Sequence, residues 1–139
     1  MNSLSECIEY YYTKENYNCA EAVIRGANDF YGLDIGKEDM KMFGGYGAGI
    51  YAGLVCGALI AGAAVLSKMV VVEKAREEQA TVRPVINGFV KTFRELLQGT
   101  SCAELRPKYY TKETSCLKTV LLASQALEIS IGKLKQESM

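Results

Sequence analysis

The stretch MFGGYGAGIYAGLVCGALIAGAAVLS, Met42–Ser67, decides how this chain folds. It carries no charged side chain, and seven of its residues are glycine, four of them (Gly44, Gly45, Gly47, Gly49) crowded at the start. An uncharged run of that length could cross a bilayer. With the glycine loop set aside, about 18 residues remain, rich in Gly and Ala rather than Leu. That composition reads as a central helix buried on all sides, from about Gly53 to Val72, and not as a membrane span. Gly53, Gly57 and Ala61 recur at four-residue intervals, a ridge with almost no side chain. Glycine inside a helix costs about 1 kcal/mol relative to alanine. Close approach of a neighbouring helix has to offset that.

Amphipathic segments flank this centre. Leu4, Cys7, Ile8 and Tyr11 share one face of a helix over about Ser3 to Lys14. Asn18-Cys19-Ala20-Glu21 has a capping residue with Glu three positions later, which starts a second helix. That helix carries Ala22, Val23, Ala27, Phe30 and Tyr31, and Gly32 ends it. Lys37 to Phe43 adds a further turn or two before the glycine loop. Val82, Ile86, Phe89, Phe93, Leu96 and Leu97 mark another helix, with Pro84 at its start or at a kink and Gly99 at its end. Ser101-Cys102-Ala103-Glu104 repeats the capping pattern, and Pro107 is expected to stop the helix it opens. A last helix runs from about Lys112 to Leu134, with Leu117, Val120, Leu121, Leu127, Ile131 and Leu134. No segment alternates as a strand does. The expected fold is all-α: one domain over 1–139, five to seven helices packed around the Gly/Ala-rich one.

Composition narrows the chemistry. Sixteen basic and sixteen acidic residues cancel and are scattered along the chain, so no field draws it to nucleic acid or to an anionic membrane. There is no histidine. Cys–His nucleophiles, mixed Cys/His zinc sites and His-ligated haem are therefore excluded, and the haem-attachment sequence Cys-x-x-Cys-His is absent. Met1 to Tyr10 lacks the basic and apolar regions of a leader, so the reading expects the cytoplasm, where thiols stay reduced.

What remains is five cysteines. In the two capped segments, Cys19 and Cys102 each take the first helical position, beside free backbone N–H groups that stabilise a thiolate. Cys56 follows the glycine loop, and Gly57 beside it leaves room for a partner sulfur or a ligand. Cys116 is expected in the first turns of the last helix. Cys7 belongs to an apolar stripe and reads as core. No pair has Cys-x-x-Cys spacing, so any shared site must be assembled by the tertiary fold.

These elements resemble the C_GCAxxG_C_C family of redox-active proteins, named for its cysteine pattern. The likeness runs through Asn18-Cys19-Ala20-Glu21-Ala22-Val23, Phe43-Gly44-Gly45-Tyr46-Gly47-Ala48-Gly49, Cys56-Gly57-Ala58, Cys102-Ala103-Glu104-Leu105 and Cys116. It implies that Cys19, Cys56, Cys102 and Cys116 are the characteristic cysteines and that Cys7 lies outside the set. Ala61 departs from the family pattern, which carries glycine there. Three readings stay open. The first is thiol redox chemistry, as an oxidoreductase or an electron carrier for a partner protein. Cys19 and Cys102 would be its nucleophiles, Cys56 and Cys116 its resolving thiols, and Gly44, Gly45, Gly47 and Gly57 its site loop. The second is a zinc or iron–sulfur module on the same four thiolates. The third is a non-catalytic helical interaction domain. The small-residue ridge also suggests a second copy of the chain as its packing partner.

Overall fold

The structure is a computed structural model describing residues 2–137, all helix and connecting turn apart from two isolated bridges. Seven α-helices follow in order: α1 Leu4–Thr13, α2 Cys19–Tyr31, α3 Lys37–Met40, α4 Gly57–Val70, α5 Gln79–Leu97, α6 Cys102–Tyr109 and α7 Leu117–Glu137. The all-α expectation holds. No helix among the described residues is long and apolar enough to cross a membrane.

Local chemistry sets three helix starts where the sequence places them. Ser3 Oγ accepts the Glu6 N–H at the head of α1. Asn18 and Glu21 form a reciprocal capping box on α2, and Ser101 and Glu104 form another on α6. Gly32 closes α2 in the left-handed conformation, with φ 61°. Around α4 pack α2, α5 and α7, while α1 lies across α2 and α7. Leu66, Phe89, Phe93, Leu97 and Leu127 are wholly buried there. Each contributes about 1.5–3 kcal/mol of burial.

Several boundaries differ from the sequence reading. The central helix begins at Gly57, not Gly53, because Gly53 has φ +71° and cannot join a right-handed helix. Gly57 and Ala61 remain on the ridge, and their neighbours belong to the same chain. A Cβ on Gly57 would lie 3.1 Å from Ala20 Cβ of α2, and one on the adjoining Gly62 would lie 2.4 Å from Phe89 Cζ of α5. The ridge therefore needs no second copy to cover it. Ala61 is fully buried inside α4, where the backbone is ordinary right-handed helix, so alanine satisfies the position through its small size.

Pro107 does not stop a helix and Pro84 does not start one, which leaves the kink reading for Pro84; they lie inside α6 and α5. Proline leaves the carbonyl four residues back without its donor. Those residues, Ala80 and Ala103, are exposed, so water can serve instead. At the end of α5 it is Gln98, φ 62°, that takes the left-handed cap, one residue before Gly99. The last helix begins at Leu117 and not near Lys112. Thr111 and Ser115 exchange main-chain hydrogen bonds (3.1 and 2.8 Å), and Thr111 Oγ1 accepts the Thr114 N–H. Such local bonding competes with helix.

Candidate functional site

The ends of four helices meet around one cavity of about 350 Å³, and Cys19, Cys56, Cys102 and Cys116 all line it. Each cysteine stands at a helix N-terminus. Cys19 and Cys102 are the first residues of α2 and α6, Cys56 is the cap residue of α4, and Cys116 directly precedes α7. The Cys116 carbonyl accepts the Val120 N–H (3.0 Å), the first helical bond of α7. Cys116 is therefore a cap residue too, not a residue of the helix proper as the sequence suggests.

Main-chain bonds fix their relative positions. Val55 and Ser101 form an isolated antiparallel bridge. Beside it the Cys56 N–H donates to Thr100 O (2.9 Å) and the Cys102 N–H to Leu54 O (2.7 Å), which ties the α4 entrance to that of α6. Asn18 Nδ2 donates to Gly44 O (3.0 Å) and so fastens the glycine loop to the head of α2. From α1, Tyr12 enters the same cavity, and its hydroxyl oxygen accepts the Cys116 N–H (2.9 Å).

A family model described as "Putative redox-active protein (C_GCAxxG_C_C)" matches residues 17–129. The chain belongs to this family. No curated protein and no solved structure matches.

The family's four cysteines have unlike environments. Cys19 is partly exposed, and its thiol is lowered from the usual value to about 7. The largest cause is the hydrogen bond from the Cys56 side chain; burial opposes it, and the N–H groups of Ala48, Ala20 and Ala58 add to it. Ala20 is in the first turn of α2 and Ala58 in the first turn of α4, so two helix heads point at one sulfur. The same contact acts oppositely on its donor: the hydrogen bond to Cys19, then burial, pushes the Cys56 thiol up. Cys116 is also raised, first by burial and then by the charges of Cys19 and Cys102. Cys7 is buried elsewhere, 6% exposed, with its thiol raised by burial, in keeping with the core reading.

The third N–H comes from a strained turn. Ala48, Gly49, Ile50 and Tyr51 are all left-handed, with φ of 52°, 65°, 61° and 55°. Such backbone costs a non-glycine residue of order 1–2 kcal/mol, and most for a β-branched one such as Ile50. The turn aims the Ala48 N–H at Cys19. Close fit matters on the other side, where a Cβ added to Gly57 would lie 2.8 Å from Cys19 Sγ and 2.6 Å from Tyr46 O. Gly49 and Gly57 line the cavity; Gly44, Gly45 and Gly47 of the expected site loop do not, although Gly44 holds Asn18.

Among the described residues no three Cys, Asp or Glu side chains gather closely enough to hold a metal ion. The thiolate set expected for zinc or an iron–sulfur cluster is thus not assembled in this conformation, although all four members face one space.

The sequence reading missed Tyr12, Tyr17, Arg106, Tyr110 and Thr119, which line the cavity with the cysteines. Two of these had a signal. Arg106 lies four residues after Cys102 and Thr119 three after Cys116, spacings that share a helix face. Tyr12 and Tyr17 had none: α1 is brought in by tertiary packing, and buried Arg25 stacks on the Tyr17 ring at 4.2 Å.

Proposed function

We propose that the protein is a dithiol–disulfide oxidoreductase in which Cys19 attacks and Cys56 resolves. One observation carries this reading: the Cys56 side chain hydrogen-bonds to a Cys19 sulfur whose pKa is lowered to about 7, at the wall of an open cavity. A thiolate poised near ambient pH is the best attacking sulfur, because lower pKa values sacrifice nucleophilicity.

The Cys19 thiolate attacks one sulfur of a substrate disulfide, that S–S bond breaks, and one half leaves as thiolate and takes up a proton. Cys19 is now neutral in a mixed disulfide, and the hydrogen bond and charge that held the proton on Cys56 are gone. The N–H groups of Ala58 and Leu59, which favour the Cys56 thiolate, remain. Cys56 gives up its proton, attacks the Cys19 sulfur and releases the second thiol. The substrate gains two electrons and two protons, and the protein keeps a Cys19–Cys56 disulfide. A reduced dithiol protein would restore the starting state, as the partner protein that the sequence reading expects. Cys102 and Cys116 line the same cavity.

Anaerobic reaction of the reduced protein with one equivalent of a small disulfide tests the reading. Peptide mapping after acid quench should find Cys19 linked to Cys56, with two thiols released per chain. Mixed disulfide at Cys7, or a Cys102–Cys116 bond formed first, would overturn the assignment. Metal analysis of the anaerobically purified protein is the companion measurement. Stoichiometric zinc or iron would favour the ligand-set reading instead.

A further inference from the structure

Thr119 is 4% exposed and its hydroxyl oxygen lacks a hydrogen-bond partner, yet the residue lines the cysteine cavity. A buried hydroxyl without a partner costs about 1–3 kcal/mol. It is usually explained by something that occupies the space beside it. The surroundings indicate what that is. The heads of α2, α4, α6 and α7 converge here, each helix eight residues or longer, and each presents the positive end of its dipole. Arg106 supplies the cavity's one cationic side chain among the described lining residues, its guanidinium stacked on the Tyr110 ring at 4.4 Å. No carboxylate lines the cavity among them.

We propose that the substrate carries an oxyanion, a carboxylate or a sulfonate, which Arg106, Thr119 Oγ1 and the first turn of α7 receive while its sulfur meets Cys19. The proposal rests on the dithiol reading for the reacting sulfur alone; the anion wall stands on the cavity's own groups. A volume of about 350 Å³ is enough for a small disulfide. The resulting preference is opposite to that of free thiolates. A bare thiolate reacts more slowly with an anionic disulfide through like-charge repulsion, so a faster reaction needs the protein wall.

The test compares three disulfides of similar length: 3,3′-dithiodipropionate, bis(2-sulfoethyl) disulfide and neutral bis(2-hydroxyethyl) disulfide. Thiol release from the reduced protein is measured in single turnover. At least one anionic compound should outrun the neutral one by about 10-fold, and which of the two leads separates carboxylate from sulfonate. Arg106→Gln should cut that preference by about 10-fold, the scale of a lost charge-assisted hydrogen bond. Thr119→Val should cut it by about 5-fold. Each variant's anionic rate is read relative to its own rate with the neutral disulfide, so a general loss of reactivity does not count as lost preference. Equal rates for charged and neutral compounds in the parent protein would overturn the proposal. So would a preference that survives both substitutions, which would mean that the Thr119 hydroxyl faces only water. Propionate and methanesulfonate binding, followed by tyrosine fluorescence, keeps the two readings apart. If no disulfide reacts but either anion binds and Arg106→Gln abolishes that binding, the anion site stands and the dithiol reading falls. If neither anion binds while all three disulfides react alike, the reverse holds.

Discussion

Cys7 and Cys19 are both largely withdrawn from water and both lie in helices, yet their thiols are displaced in opposite directions. Cys7 sits in the middle of α1, where every backbone N–H already has its helical acceptor. Burial there only penalises charge. Cys19 sits on the first residue of α2, where N–H groups lack acceptors, and a second helix head and a thiol donor face it. The comparison teaches that burial does not make a cysteine inert; burial without donors does.

The sharpest way to break that comparison is competitive alkylation of the reduced protein near pH 7. Cys19 should be modified at least ~50-fold faster than Cys7, from the difference in thiolate fraction alone. Brief labelling with iodoacetamide and peptide mapping reads the ratio, and similar rates would remove the distinction.

Gly57→Ala attacks the cause more directly. The added Cβ would meet Cys19 Sγ and Tyr46 O, so the sulfur must leave the head of α4. Cys19 alkylation should slow about 10-fold, and denaturant melts should show about 1–3 kcal/mol of lost stability from overpacking. Unchanged reactivity would mean that the α4 head does not support the thiolate.

Removing the thiol donor is a smaller step. In the parent protein the Cys19 alkylation rate should rise with pH through a midpoint near 7 and level off above it. Cys56→Ala deletes the contact that lowers Cys19 most, so the thiolate should form only at higher pH. The midpoint should move up by about one unit. A downward shift would show that the neighbouring sulfur acts mainly as a repelling charge.

The mildest change is Cys7→Ala. A small truncation in a packed core costs roughly 1 kcal/mol, seen as a shifted unfolding midpoint. Cys19 reactivity should stay within about 2-fold of the parent. A large loss of reactivity would place Cys7 within the site after all.

What the sequence determined by itself was whatever depends on neighbours a few residues apart. The helical periods, the all-α class and the capping boxes at Asn18 and Ser101 are local, because a side chain three residues from a free N–H can reach it in any fold. So the first-position placement of Cys19 and Cys102 was legible, as was the apolar stripe that makes Cys7 core. Pro107 misled, because a local rule cannot know that Ala103 would face water. Only the tertiary structure decided that cysteines at 19, 56, 102 and 116 face one cavity, since intervals of 37, 46 and 14 residues carry no geometric information. It also decided which thiol is lowered and which is raised, because that follows from a contact between residues far apart in the chain. The left-handed run at Ala48, Ile50 and Tyr51 opposes the intrinsic preference of those residues. Only the surrounding fold, which fastens the glycine loop to α2 and the α4 entrance to α6, can hold it.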